Sequence, residues 1–211
     1  LAQSLPFSAP EFRRFFAPLA QQFNMTWRLR DSAEKHRLVV LVSKLDHCLN
    51  DLLHRWRSGE LEVEIPCVIS NHDDLRAFVE WHGIPFIHLP MDGKKGDGKG
   101  VEGAAIKAAA FAEIERLFAQ HRGDTLVLAR FMQILPPEFC ERLAGRVINI
   151  HHSFLPSFAG AKPYHQAYAR GVKLIGATCH YVTAELDAGP IIAKDTVRID
   201  GRFRGEISSE N

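Results

Sequence analysis

Asn149 and His151 stand two residues apart in Val147-Ile148-Asn149-Ile150-His151, and Asp187 follows in the turn Glu185-Leu186-Asp187-Ala188-Gly189-Pro190. The first stretch alternates apolar and polar residues, as the end of a strand does. Side chains repeat with period two along a strand, so Asn149 and His151 project from one face, about 7 Å apart. An amide and an imidazole so placed can hold one carbonyl oxygen from two directions. Joined by a carboxylate, they make an acyl-transfer apparatus that needs no protein nucleophile. The Asn amide donates to the oxyanion that forms on the carbonyl, an interaction worth about 3 kcal/mol of barrier. The His is a second donor when protonated and can protonate a departing nitrogen. The Asp raises the basicity of the imidazole, or orients and deprotonates an attacking water. The same three residues also suit a plainer role as polar caps on strand ends. Residue type alone leaves both readings open.

The elements that must position them follow from periodicity. Residues 38–42 (Leu-Val-Val-Leu-Val) form a continuous apolar run, the mark of a strand buried on both faces. Residues 46–57 read as a helix ending near Gly59, residues 63–69 as a second strand, and residues 72–82 as the next helix. Residues 84–89 make a third strand, residues 101–121 a long helix, residues 125–128 a fourth strand and residues 147–151 a fifth. Strands over residues 174–182 and 191–199 flank the Asp187 turn. Alternating β and α units of this length predict an α/β fold with a mostly parallel, doubly wound sheet. Asn149 and His151, the Asp187 turn, and Arg130-Phe131-Met132-Gln133-Ile134-Leu135-Pro136 all lie just beyond strands. Neighbouring strands would bring these loops into one crevice at the carboxyl edge. Residues 153–162 abandon periodicity for loop chemistry around Pro156 and Gly160.

Composition narrows the class. The 211 residues suffice for one full domain with a fragment of another, and 46% apolar with 24% charged residues is an ordinary globular balance. A formal net charge of +1 gives no sign of a nucleic-acid or membrane-surface partner. No apolar run approaches the roughly 18 residues that span a bilayer. Cys48, Cys67, Cys140 and Cys179 are scattered, without a CxxC pair or zinc-like histidine spacing, and read as reduced thiols; no metal site is expected. Residues 1–12 have neither a basic region nor a long apolar core, so no secretory signal is expected in them. Residues 93–100 (GKKGDGKG) nearly match a phosphate-binding P-loop, but Gly100 stands where a Ser or Thr hydroxyl is required, and a surface loop is the better reading. His152 lies on the opposite strand face from His151 and reads as packed. Trp27, Trp56 and Trp81 read as core or interface aromatics, and Asp73 and Asp74 as first-turn helix residues.

Asn149-Ile150-His151 with Ser153-Phe154-Leu155-Pro156-Ser157-Phe158 resembles the signature of the folate-dependent formyltransferases, and Leu186-Asp187-Ala188-Gly189-Pro190-Ile191-Ile192 resembles that family's second signature. Within the family the similarity is greatest to the deformylase branch. It extends through His47-Cys48-Leu49, Leu52-Leu53-His54-Arg55-Trp56, Ile69-Ser70-Asn71-His72-Asp73-Asp74-Leu75 and Ala129-Arg130-Phe131-Met132-Gln133-Ile134-Leu135. The resemblance implies a Rossmann-like formyltransferase fold over residues 34–200 and hydrolysis of 10-formyltetrahydrofolate to tetrahydrofolate and formate. It implies Asn149, His151 and Asp187 as the catalytic trio. It also implies substrate contacts from Arg130, Met132, Gln133, Ile134 and Leu135, with Thr178 and His180 supporting the site. His47 and Lys162 border it. The folate substrate is the one small molecule implied, with no further cofactor. A homo-oligomer in the cytoplasm or an organellar matrix is expected.

The acceptor is legible in the loop after the first strand. Relatives that formylate glycinamide ribonucleotide bind its phosphate there on a glycine-rich turn at a helix N-terminus. This chain has Ser43-Lys44-Leu45-Asp46-His47-Cys48, without glycine and with a carboxylate that repels phosphate. Water is then the expected acceptor. Transfer to an amine, or a folate-binding remnant without turnover, are the alternatives. Ahead of the catalytic domain, residues 9–23 fit an amphipathic helix with Ser8 as N-cap and Pro10 in the first turn, and residues 25–29 a weak strand. Residues 1–33 resemble the last third of an ACT domain, an α+β regulatory module. Residues 201–211 depart from the family pattern and read as a disordered tail.

Overall fold

A computed structural model describes residues 7–29, 31, 34–91, 101–157 and 163–198. Two compact units divide the chain, Leu1–Lys35 and His36–Asn211. In the first, α1 (Ala9–Gln22) starts at a complete capping box: the Ser8 hydroxyl accepts from the Glu11 amide, and the Glu11 carboxylate accepts from the Ser8 amide at 2.8 Å. Phe12 stacks on Phe16, which meets Trp27 edge to face at 5.0 Å. Residues 25–29 are not a strand as the sequence suggested. Their weak alternation finds no pairing partner among the described residues, and an unpaired strand has nothing to satisfy its backbone.

The second unit is built on β1 (His36–Val42), β2 (Val63–Ser70), β3 (Phe86–His88), β4 (Thr125–Ala129), β5 (Val147–His151), β6 (Leu174–Tyr181) and β7 (Ile191–Arg198). They form one sheet in the order β3-β2-β1-β4-β5-β6-β7. The first five are parallel; β6 pairs antiparallel with β5, and β7 antiparallel with β6. The chain steps outward from β1 to β2 and β3, then returns to place β4 on the other side of β1. That reversal opens a crevice between the carboxyl ends of β1 and β4.

Period two along β1 divides the core. Val39 and Leu41 pack with Ile114 and Phe118 of α4 (Val101–Gln120) and Phe139 of α5 (Pro137–Arg142). Val40 and Val42 pack with Leu49 and Leu53 of α2 (His47–Ser58) and Val79 of α3 (Arg76–Trp81). Helices therefore cover both faces, as the uninterrupted apolar run required. All four β1 residues are fully buried, and each is worth about 1.5–3 kcal/mol. Gly59 ends α2 in the left-handed conformation at φ 79°, which costs glycine no Cβ clash.

Some details differ from expectation. α3 begins at Arg76 rather than residue 72, because residues 71–75 form turns. Asp73 is thus outside the helix and pairs with the Arg76 guanidinium, which holds its carboxyl below the ordinary value. Trp81 is 69% exposed, with Arg57 4.5 Å over its ring, so it is not a core aromatic of this chain. The short helices α5 and α6 (Pro163–Ala169) have too few turns to show a period in the sequence. Residues 93–100 and 201–211, and Lys162, lie outside the described residues.

Candidate active site

β5 carries Asn149 and His151 at the carboxyl edge, and β6 lies antiparallel beside it with Asn149 opposite His180 and His151 opposite Thr178. Opposed residues share a face, so these four polar side chains project together. Beyond β6 the chain turns back through residues 182–190 and delivers Asp187 onto them. His151 Nδ1 lies 3.5 Å from one Asp187 oxygen and His180 Nε2 lies 3.7 Å from the other. The Asp187 side chain is only 7% exposed, so its charge sits between two imidazoles and largely out of water.

The carboxylate fixes which nitrogen does what. Facing Asp187 favours the proton on His151 Nδ1, which leaves Nε2 as the outward nitrogen. That Nε2 is buried and has no hydrogen-bond partner among the described residues. A buried imidazole nitrogen without a partner is costly in a merely structural histidine. His180 Nδ1 lies 3.0 Å from the Tyr181 carbonyl, while its Nε2, like that of His151, is buried without a hydrogen bond among the described residues.

Asp187 adopts a left-handed backbone at φ 56°, a conformation Asp tolerates better than most residues. The hairpin is closed by the Tyr181 amide donating to the Pro190 carbonyl at 2.9 Å. Gly189 passes so close that a Cβ there would lie 1.8 Å from the Tyr181 carbonyl oxygen. Gly189→Ala is therefore expected to push the Asp187 turn off β6, lowering stability by about 3 kcal/mol and activity with it. Urea unfolding beside a turnover assay reads both, and a variant of unaltered stability rejects this account of the turn.

Thr178 is fully buried and ties down the loop after β5. Its hydroxyl donates to the Ser153 carbonyl at 2.8 Å and accepts from the Leu155 amide at 3.1 Å. From β7, Lys194 donates to the Leu155 carbonyl and lies 4.6 Å over the Phe154 ring. The sequence offered no signal for Lys194, because it acts through a strand pairing that only the fold creates.

The loop after β4 faces the crevice from the other side. Ser43, at the end of β1, donates to Asn71 Oδ1 at 2.7 Å and accepts from the Met132 amide at 3.0 Å. One buried hydroxyl thus joins the carboxyl ends of β1, β2 and β4. Met132 and Ile134 are exposed, Gln133 is half-buried, and Leu135 packs into the core. Arg130 lies at φ 59° and donates from its guanidinium to His152 Nδ1 at 3.2 Å. His152 is half-buried rather than packed away; burial first, then the Arg130 guanidinium, holds its imidazole below the ordinary value. His47 opens α2 and is exposed, and Asp46 precedes it without capping the helix through its side chain.

The fold is thus an open α/β sheet that carries an amide, an imidazole and a buried carboxylate together at its carboxyl edge, past the reversal of strand order. The chain belongs to the formyl transferase family, whose model matches residues 36–204. It is 47% identical over 200 residues to a formyltetrahydrofolate deformylase of a Corynebacterium species, covering 93% of this chain and 66% of that protein. The crystal structure of a formyltetrahydrofolate deformylase from Pseudomonas syringae pv. tomato superposes with a TM-score of 0.84 at 59% identity, covering 94% of this chain and 63% of that one. A phosphoribosylglycinamide formyltransferase from Anaplasma phagocytophilum superposes less well, with a TM-score of 0.65 at 35% identity over 80% of this chain and 75% of the other. The chain thus spans just under two thirds of the length of these two deformylases.

Proposed function

We propose that this chain carries the hydrolytic centre of a formyltetrahydrofolate deformylase, which cleaves 10-formyltetrahydrofolate to tetrahydrofolate and formate. The observation that carries it is the Asp187 carboxylate held at His151 Nδ1, leaving a buried, unpartnered Nε2 on the face that also bears Asn149. In this reading the Asn149 amide and His151 in its protonated form, donating from Nε2, receive the formyl oxygen, and Asp187 orients His151 and the attacking water. The water oxygen bonds to the formyl carbon, and the oxyanion so formed is held by these donors. Asp187 takes one proton from the water during attack; collapse then breaks the carbon–nitrogen bond as His151 gives its Nε2 proton to the folate nitrogen. The proton on Asp187 returns to His151, and formic acid loses its remaining proton to solvent and leaves as formate. The folate ring rests against residues 132–135, with Met132 and Ile134 as apolar wall and Thr178 and His180 holding the catalytic turn.

Water as acceptor is supported by the loop between β1 and α2. It has no glycine, and Asp46 stands at the helix start where an acceptor's phosphate would be bound. The full chain should release formate from 10-formyltetrahydrofolate with no amine present. Turnover that required glycinamide ribonucleotide would replace this reading with a transferase.

A further inference from the structure

Beside the catalytic histidine lies a second basic cluster that the hydrolytic steps above do not use. β4 and β5 are parallel with Leu128 level with Asn149, and Arg130 follows directly on the end of β4 at Ala129. The Arg130 guanidinium donates to His152 Nδ1, and the His152 ring lies 5.4 Å from that of His151. His47 and Cys48, at the start of α2, are near enough to interact electrostatically with His152 and Arg130 respectively. Arg130 Nε is shielded from solvent and has no hydrogen-bond partner among the described residues. A guanidinium is always charged and presents its donors in a planar fork that matches a carboxylate. The backbone also bears a cost here, since Arg130 is one of the few described non-glycine residues at positive φ. Strain at such a position is retained where the side chain is needed in one place.

We propose that Arg130 with His152 forms a subsite for a small carboxylate, which receives the formate anion as it leaves the formyl carbon. The inference rests on the hydrolytic reading and assigns Arg130 to the acid product rather than to the folate ring. Three things recommend formate over a larger anion. The His152 ring lies 5.4 Å from His151, where the hydrolytic reading generates the one-carbon fragment. The unpartnered Nε and the fork it belongs to fit two oxygens of one carboxylate. Asp46, close by in sequence at the α2 N-terminus, disfavours a doubly charged phosphate.

The test uses the full chain and sodium formate, at ionic strength held constant with sodium chloride. Formate should inhibit turnover, and it should broaden in a 13C-formate titration followed by NMR, which needs no turnover. Arg130→Gly suits the φ 59° backbone, so it removes the guanidinium without adding strain. It should raise the formate inhibition constant at least ~10-fold and abolish the broadening, while Arg130→Lys keeps the charge but not the fork and lies between. Equal formate affinity in wild type and Arg130→Gly overturns the subsite even if hydrolysis is intact. So does an affinity loss matched by chloride or nitrate, which marks an unspecific cation. Arg130-dependent broadening in a protein that releases no formate from folate keeps the anion subsite and removes the hydrolytic reading instead.

Discussion

Asp187→Asn should lower kcat by on the order of 10³-fold while the protein stays folded. The substitution preserves shape, and Asn tolerates the left-handed backbone at φ 56° as Asp does, so the turn has no reason to rearrange. What changes is electrostatic. The carboxylate, 7% exposed and 3.5 Å from His151 Nδ1, is replaced by an amide that can present hydrogens to that nitrogen. The favoured tautomer then reverses, and Nε2 carries the proton without a counter-charge behind it. An imidazolium formed during reaction also loses the negative charge that stabilises it. His180, the second imidazole on Asp187, is left facing an amide as well. Circular dichroism and a urea midpoint near wild type should accompany the loss of rate. A kcat within tenfold of wild type would remove Asp187 from the mechanism and leave it a structural tie between β5, β6 and their hairpin.

How far the sequence reaches is clearest residue by residue. The strands of the parallel core were legible because burial on both faces demands unbroken apolar runs, and residues 38–42 show one. Asn149 and His151 were legible because polar residues at period two interrupt such a run at its end. Asp187 was legible as a turn residue, but its approach to His151 depends on β6 pairing antiparallel with β5, which periodicity does not reveal. Ser43 was read only as one more residue of a loop without glycine, whereas its hydroxyl joins three strand ends. His152 was assigned to packing from strand parity alone. Strand parity ends with the strand, at His151, and the side chain beyond it turned toward Arg130 instead. Residues 25–29 illustrate the converse: alternation without a partner does not make a strand. Local pattern shows what a segment can bury, and long-range pairing decides what it meets.

Asn149→Ala should cost on the order of 10²–10³-fold in kcat with little change in KM. The amide earns its effect only when the formyl oxygen acquires charge, so its loss falls on the transition state and not on folate binding. Asn149 sits mid-strand, paired in register with Leu128 on β4 and His180 on β6, so the backbone holds its position whatever the side chain. It is half-buried, and truncation leaves room for a water. That water hydrogen-bonds the ground-state carbonyl nearly as well, but it must reorganise as the oxyanion forms, which a fixed amide need not. Asn149→Asp should be slower still, because it sets an acceptor with negative charge where a donor is needed, on the face already holding Asp187. The ordering wild type, Ala, Asp is the discriminating result. A binding remnant without turnover shows no such ordering, only unchanged folate affinity across all three, as read by fluorescence titration. If Asp instead matched or exceeded Ala, the side chain would be acting on a proton rather than on an oxyanion. The hydrolysis would then have to be assigned to His151 and Asp187 alone.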